Sequence, residues 1–251
     1  MTRDAKFVDG ILAVDKPQGW TSHDVCAFVR KRFQIPKVGH AGTLDPMATG
    51  VLVLLLGRAT KLSRDLSSCD KDYHGTMELG VETDSHDRDG RVVGEASWEG
   101  VTLEKVRETV TSFVGVIEQL PPMVSAIRYK GVRLYQLARR GTVVPREKRK
   151  IIVHEFRAES QEGAFVRFFA RVSKGTYLRT LVHDIGEALG CHATLSELRR
   201  IRAGEFSLDN SVTIEALKTL TLDALDRHIF PLHGIPGYRL FGPTPALRPG
   251  E

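Results

Sequence analysis

The densest concentration of residues able to do chemistry is the segment Gly39-His-Ala-Gly-Thr-Leu-Asp-Pro-Met-Ala-Thr-Gly50. Its glycines let the backbone turn sharply or approach a ligand closely. One loop thereby carries an imidazole, His40, and a carboxylate, Asp45. A buried strand is predicted directly after it, so a rigid scaffold can aim both groups. The segment is not a phosphate loop, because the lysine of G-x-x-x-x-G-K-[ST] is missing. It is not a nucleophile elbow either, because it contains no G-x-S-x-G. On spacing alone, Asp45 before Pro46 is an ordinary turn residue.

Other candidates are scattered. Tyr73 and Tyr177 each sit at a predicted strand end beside basic residues. The plain reading is a half-buried ring with a wetted hydroxyl. Arg179 falls in the first turn of a predicted helix, where the dipole is positive and a cation is poorly placed. A carboxylate partner is therefore expected nearby. Ser85, Asp87, Asp89 and Gly90 have the outline of a calcium loop, yet the first ligand position holds a serine and the closing one Ala96. A hairpin turn is the better reading. The nine histidines form no H-E-x-x-H and the three cysteines no C-x-x-C. Neither a metal nor a nucleotide cofactor is expected.

The elements that must position these residues follow from periodicity and punctuation. Gly10–Val14 reads as a buried strand, and Asp15–Gly19 as a turn. Thr21 and Ser22 offer N-caps for a helix with Val25, Phe28, Val29 and Phe33 on one face, stopped by Pro36. Pro36–Gly50 reads as a loop and Val51–Leu56 as a buried strand. Tyr73–Val81 reads as a strand, Thr83–Gly90 as a turn, and Arg91–Ala96 as the return strand of a hairpin. Thr102 caps a helix with Leu103, Val106, Val110, Phe113 and Val114 at helical spacing. Phe165–Val172 alternates, with Val166, Phe168, Ala170 and Val172 on one face. It leads into a helix bearing Leu178, Leu181, Val182, Ile185 and Leu189, closed by Gly190. The mixed order predicts an α+β fold with a largely antiparallel sheet.

Composition bounds the function classes. With 251 residues, 41% apolar and 27% charged, the chain can bury a sizeable core and is not disordered as a whole. The longest apolar run, Val51–Leu56, is far short of the about 20 residues that span a bilayer. The N-terminal MTRDAKF lacks the apolar stretch of a signal peptide. The odd, dispersed cysteines fit a reducing compartment. A cytoplasmic protein is expected. The net charge is +5, and Arg128–Lys150 alone, with nine Lys/Arg and one acid, carries +8. Such a stretch is either a solvated basic loop or a phosphate-binding face.

Five segments together resemble one family. GILAVDKPQGWTSHDV, GHAGTLDPMATGVLVLLLGRATKL, DKDYHGTMELGVETDSHDRDG, LPPMVSAIRYKGVRLYQLAR and SKGTYLRTLVHDIGEALG are similar, in order, to the signatures of the TruB-type tRNA pseudouridine synthases. The resemblance covers roughly residues 10 to 215. It implies the pseudouridine synthase fold, a mixed, mostly antiparallel central sheet flanked by helices and loops. It also implies an isomerase acting on the uridine at tRNA position 55 without a cofactor. The T-arm of tRNA is the implied partner, and a monomer without metal or membrane association is expected.

Carried over by position, Asp45 resembles the catalytic aspartate, and His40 the histidine that fills the space of the extruded base. Tyr73 resembles the tyrosine that stacks on the target uracil and handles a proton. Tyr177 resembles a pocket tyrosine, Arg179 the arginine paired with the catalytic aspartate, and Leu198 an apolar pocket residue. Lys16 and Pro17 match a KPxG motif whose role is mainly loop support, with Lys16 also a candidate RNA contact. Arg128 stands where a lysine is common, and Ser85 where threonine is usual. Residues 1–232 are expected to form the catalytic domain. Residues 233–251 are expected to form a short tail, with room only for the beginning of the RNA-binding PUA domain that many bacterial members carry. A hydrolase reading of Asp45 needs a second acid nearby, and the loop offers none. A non-catalytic RNA-binding module would tolerate the loss of Asp45, Tyr73, Tyr177 and Arg179; all four are present.

Overall fold

A computed structural model describes residues 8–125, 127–138 and 140–232. The expected tail, 233–251, lies outside them. In chain order the first elements are β1 (Gly10–Lys16), α1 (Ser22–Phe33), β2 (Val38–Ala41), β3 (Thr49–Leu56) and α2 (Ser63–Ser67). Then come β4 (Lys71–Leu79), β5 (Val81–Thr83), β6 (Val92–Glu95), α3 (Leu103–Thr111) and β7 (Gly115–Gln119). A small hairpin, β8 (Arg128–Tyr129) and β9 (Val132–Arg133), precedes α4 (Leu134–Ala138). The long strands β10 (Arg149–Glu162) and β11 (Phe165–Val172) lead to α5 (Leu178–Leu189) and β12 (Ala193–Ala203). The last are β13 (Phe206–Ser207), β14 (Val212–Thr213), α6 (Ile214–Thr219), α7 (Leu222–Asp226) and β15 (Ile229–Phe230).

These elements form two compact units. Of the described residues, one comprises 8–46, 50–67 and 205–232, and the other 47–49 and those within 68–204. In the first unit β1 pairs antiparallel with β3 and β15 and parallel with β14, so the sheet is mixed. Ile11–Val14 and Val51–Leu56 are buried throughout. Helix α1 starts at Thr21, whose hydroxyl accepts from the Asp24 N–H while the Asp24 carboxylate accepts from the Thr21 N–H. It ends at Gln34, in the left-handed conformation at φ 56°, two residues ahead of the proline expected to stop it.

The segment 36–50 is not wholly a loop. Val38–Ala41 pairs with β3 as a short edge strand, His40 opposite Leu54. A glycine and a histidine, Gly39 and His40, hid it, because strand signals rest on apolar and β-branched residues.

In the second unit the antiparallel order is β12-β4-β11-β10-β7. Val166, Phe168, Ala170 and Val172 are buried as the alternation predicts. Helix α5 lies on β12. Gly186 permits that contact, since a Cβ there would come within 2.1 Å of the Ala193 nitrogen. Gly190 closes the helix at φ 74°. Helix α3 is capped by Thr102 as expected but ends at Thr111, leaving Phe113 and Val114 beyond it. The hairpin β5–β6 forms as expected.

Candidate active site

Asp45 lies in the first unit, in the loop between β2 and β3, and is half-exposed. Both neighbours are held by their backbones. Ser22 Oγ, at the start of α1, accepts from the Leu44 N–H at 2.8 Å and donates to the Leu44 carbonyl at 3.0 Å. The Pro46 carbonyl accepts from the Gly19 N–H at 2.8 Å and from Lys16 Nζ at 3.4 Å. A carboxylate between two pinned peptide units loses little freedom when it acts, which is the geometric requirement for a positioned catalytic group.

Lys16 is 0% exposed. Its ammonium also donates to the carbonyls of Pro17 at 2.9 Å and Trp20 at 2.7 Å. Loop support is the role this placement serves. A phosphate contact would require the side chain to leave three carbonyl acceptors. His40 stands on β2 in the same unit, partly exposed.

Tyr73, Tyr177, Arg179, Leu198 and Arg128 belong to the second unit. Tyr73 is the third residue of β4, inside the strand rather than at its end, with Ala170 and Arg200 as cross-strand neighbours. It is nearly buried, and Arg200 is buried entirely. Leu198 is buried opposite Gly75. Tyr177 is the N-cap of α5 and makes no side-chain cap. Its backbone is instead bracketed by Gln119, whose amide accepts from the Tyr177 N–H at 2.8 Å and donates to the Tyr177 carbonyl at 3.1 Å. Gln119 is buried at the end of β7.

Arg179 has the carboxylate neighbour its helix position calls for. Its Nε is 3.3 Å from Asp87 Oδ2, with side-chain exposures of 3% and 8%. Nη1 donates to the Ser85 carbonyl and Nη2 to the Val124 carbonyl, each at 2.9 Å. The loop after β5 is thus built around Asp87, which also accepts from Ser85 Oγ at 2.6 Å and from the Asp89 N–H at 3.2 Å. Beside it, burial pushes the His86 imidazole down to about 4, helped by the charges of His183, Arg179 and Arg146.

Asp87 enters the sequence reading only within a calcium-like outline read as a hairpin turn, and Gln119 bears no signal except its place just before LPPM.

The basic stretch divides in two. Arg128 and Arg133 face each other across the β8–β9 hairpin, and both are exposed. Lys130 and Gly131 turn it, both at positive φ. Lys148, Arg149 and Lys150 are exposed at the start of β10. Arg146 differs. Its Nη1 donates to the Pro121 carbonyl at 2.8 Å, and its Nε is buried.

Among the described residues no helix is long and apolar enough to cross a membrane. The TruB family pseudouridylate synthase N-terminal domain matches residues 30–178, and the tRNA pseudouridylate synthase B C-terminal domain matches 179–235. The chain belongs to the TruB family of pseudouridylate synthases, whose members isomerise uridine to pseudouridine.

It is 44% identical over 233 residues to tRNA pseudouridine synthase B of Opitutus terrae, covering 93% of this chain and 97% of that one. It is 47% identical over 213 residues to the protein of that name from Geobacter sulfurreducens, covering 85% and 70%. Among solved structures, a chain of a Cbf5-Nop10-Gar1 complex matches with TM-score 0.69 at 31% identity. That match covers 88% of this chain but spans only 60% of that one. The fold is that of the pseudouridine synthases, as expected.

Proposed function

We propose that the chain converts the T-loop uridine at tRNA position 55 to pseudouridine, with Asp45 as the essential carboxylate. The observation that carries this is the pinning of Leu44 by Ser22 and of Pro46 by Gly19 and Lys16, which leaves the carboxylate between them half-exposed and rigidly based.

The reaction breaks N1–C1′, turns the base, and joins C1′ to C5. The proton on C5 leaves and N1 gains one, so nothing is oxidised and no redox cofactor is required. The target base has to leave its stack, at a cost of a few kcal/mol. Stacking on an aromatic ring returns about 1–3 kcal/mol. Tyr73 supplies that ring, and Tyr177 and Leu198 complete the pocket. His40 fills the space the base vacates.

Breaking the glycosidic bond builds positive charge at C1′, which an ionised carboxylate stabilises or attacks. Arg179 is the arginine that the family resemblance assigns to the reaction, and Asp87 and Gln119 hold the second unit's residues in place. Arg128, Arg133 and the Lys148–Lys150 run bind the phosphates of the T-arm, so affinity falls steeply with salt. Two arginines opposite each other repel, and a phosphate near both relieves the repulsion. We assign the enzyme to the cytoplasm as a monomer.

The test is Asp45→Ala with a T-arm transcript, read by carbodiimide mapping of pseudouridine and by filter binding. Pseudouridine formation is expected to vanish while binding stays within a few-fold of the parent. Turnover near the parent's would reject Asp45 as the catalyst. Loss of binding alone would favour a recognition role.

A further inference from the structure

Two segments far apart in sequence meet where no part of the proposed reaction needs them. Glu82 lies in β5, His86 in the loop that follows, and His183 in the middle of α5. One metal-ligating atom from each lies within 4.8 Å of the others. Nδ1 of His183 is 3.7 Å from Oε1 of Glu82. The rings of His86 and His183 stack, with centroids 4.0 Å apart and planes 10° from parallel. Nδ1 of each ring is buried without a hydrogen-bond partner. Two such nitrogens side by side are costly and call for an explanation.

We propose that Glu82, His86 and His183 bind a divalent transition ion of the zinc class. Two imidazoles and a carboxylate are a donor set that suits this ion, with a fourth position left for water. Ligands about 2.0–2.2 Å from a tetrahedral ion sit about 3.4 Å apart. The His183–Glu82 pair is already near that spacing. A ring nitrogen's lone pair lies in the ring plane, so one of the stacked rings has to rotate to bring its nitrogen onto the ion.

The surroundings are arranged for this. Nδ1 of His192 is in contact with Oε1 of Glu187 at 2.5 Å and lies 3.9 Å from Oε2 of Glu82. Glu187 thus fixes that imidazole beside Glu82, where the outer partners of metal ligands stand. Gly94 faces Glu82 across the hairpin. A Cβ there would stand 3.2 Å from Glu82 Oε2 and 3.4 Å from His192 Nε2. Arg146 and Arg179 add positive charge near His86. Asp87 pairs with Arg179, and Asp84, Asp184 and Glu187 add negative charge around the two histidines.

The site has a structural consequence. Arg179 and His183 are one turn apart on the same face of α5. Arg179 grips Asp87 and the Ser85 carbonyl. His86 sits between those two residues. An ion shared by His86 and His183 therefore ties the 84–87 loop to α5 a second time.

The test uses the full chain, stripped with chelator and titrated with Zn²⁺ against a chromophoric chelator. One equivalent is expected to bind. X-ray absorption of the bound zinc is expected to show imidazole scattering from two histidines. Glu82→Ala and His183→Ala are each expected to weaken binding by at least about tenfold, and His192→Gln by less. Absence of zinc binding by the parent protein would overturn the assignment. So would unchanged affinity in both alanine variants, or a zinc spectrum without imidazole. None of these readouts depends on pseudouridine formation, so the metal site and the proposed reaction stand or fall separately.

Discussion

The Nε of Arg179 and Oδ2 of Asp87 meet at 3.3 Å while both side chains are almost wholly buried. Removing one member of a buried ion pair strands the other, at about 3–5 kcal/mol. Asp87→Ala is therefore expected to lose about 3 kcal/mol in urea unfolding. It should also cut single-turnover pseudouridine formation, because Arg179 loses one of its anchors. Arg179→Lys should not restore activity. A single ammonium cannot reach the Ser85 carbonyl, the Val124 carbonyl and Asp87 as the planar guanidinium does.

Ser22 acts on Asp45 through the residue before it. Ser22→Ala removes both bonds to the Leu44 backbone. Leaving a buried donor unsatisfied costs about 1–3 kcal/mol. The turnover rate should fall about tenfold, about 1.4 kcal/mol in barrier, with the Michaelis constant little changed, because the loop's aim and not RNA binding is disturbed. An equal rise in the Michaelis constant would mean that the loop binds RNA instead.

The exposed basic residues should set the salt dependence. Replacing Arg128, Arg133, Lys148, Arg149 and Lys150 by glutamine should weaken T-arm binding. It should also flatten the plot of log affinity against log salt by about 0.7 for each phosphate that is no longer neutralised. Arg146 is left out because its guanidinium is engaged with the Pro121 carbonyl. An unchanged slope would place the RNA on another face.

Asp72 predicts an acid limit to stability. It is buried at the base of β4, where burial alone would raise its pKa. Hydrogen bonds and charges from Arg202 and Arg171 outweigh that and hold the carboxyl below its usual value of 3.8. The unfolded chain then binds the proton more readily, so this contribution is present in full above about pH 4 and is lost as pH falls through the folded value. Asp72→Asn should be less stable than the parent at pH 7, and the gap should close as pH falls below 3.8 through the folded value. A gap independent of pH would show that charge is not the cause.

Helices α1, α3 and α5, strand β11 and the β5–β6 hairpin were legible because their apolar residues keep one period. Strand β12 was not, since ATLSELRRIRA places charge where a buried face belongs, and Arg200 is in fact buried. Strand β10 was hidden by a bulge between Val153 and Glu155. Ile151 and Val153 are buried before it, Phe156 and Ala158 after it, so the alternation changes parity midway. At the candidate site, Asp45, Tyr73, Tyr177 and Arg179 were readable from motifs. Gln119 and Asp87 act through folded geometry that local spacing does not encode. The same holds for Glu82, His86 and His183, which only the fold gathers.

The buried ammonium under the Asp45 loop doubles as a built-in gauge of that loop's integrity. While the fold is intact, acylating reagents have no path to Lys16. The instant at which this amine becomes modifiable marks the opening of the contacts that hold the Asp45 loop.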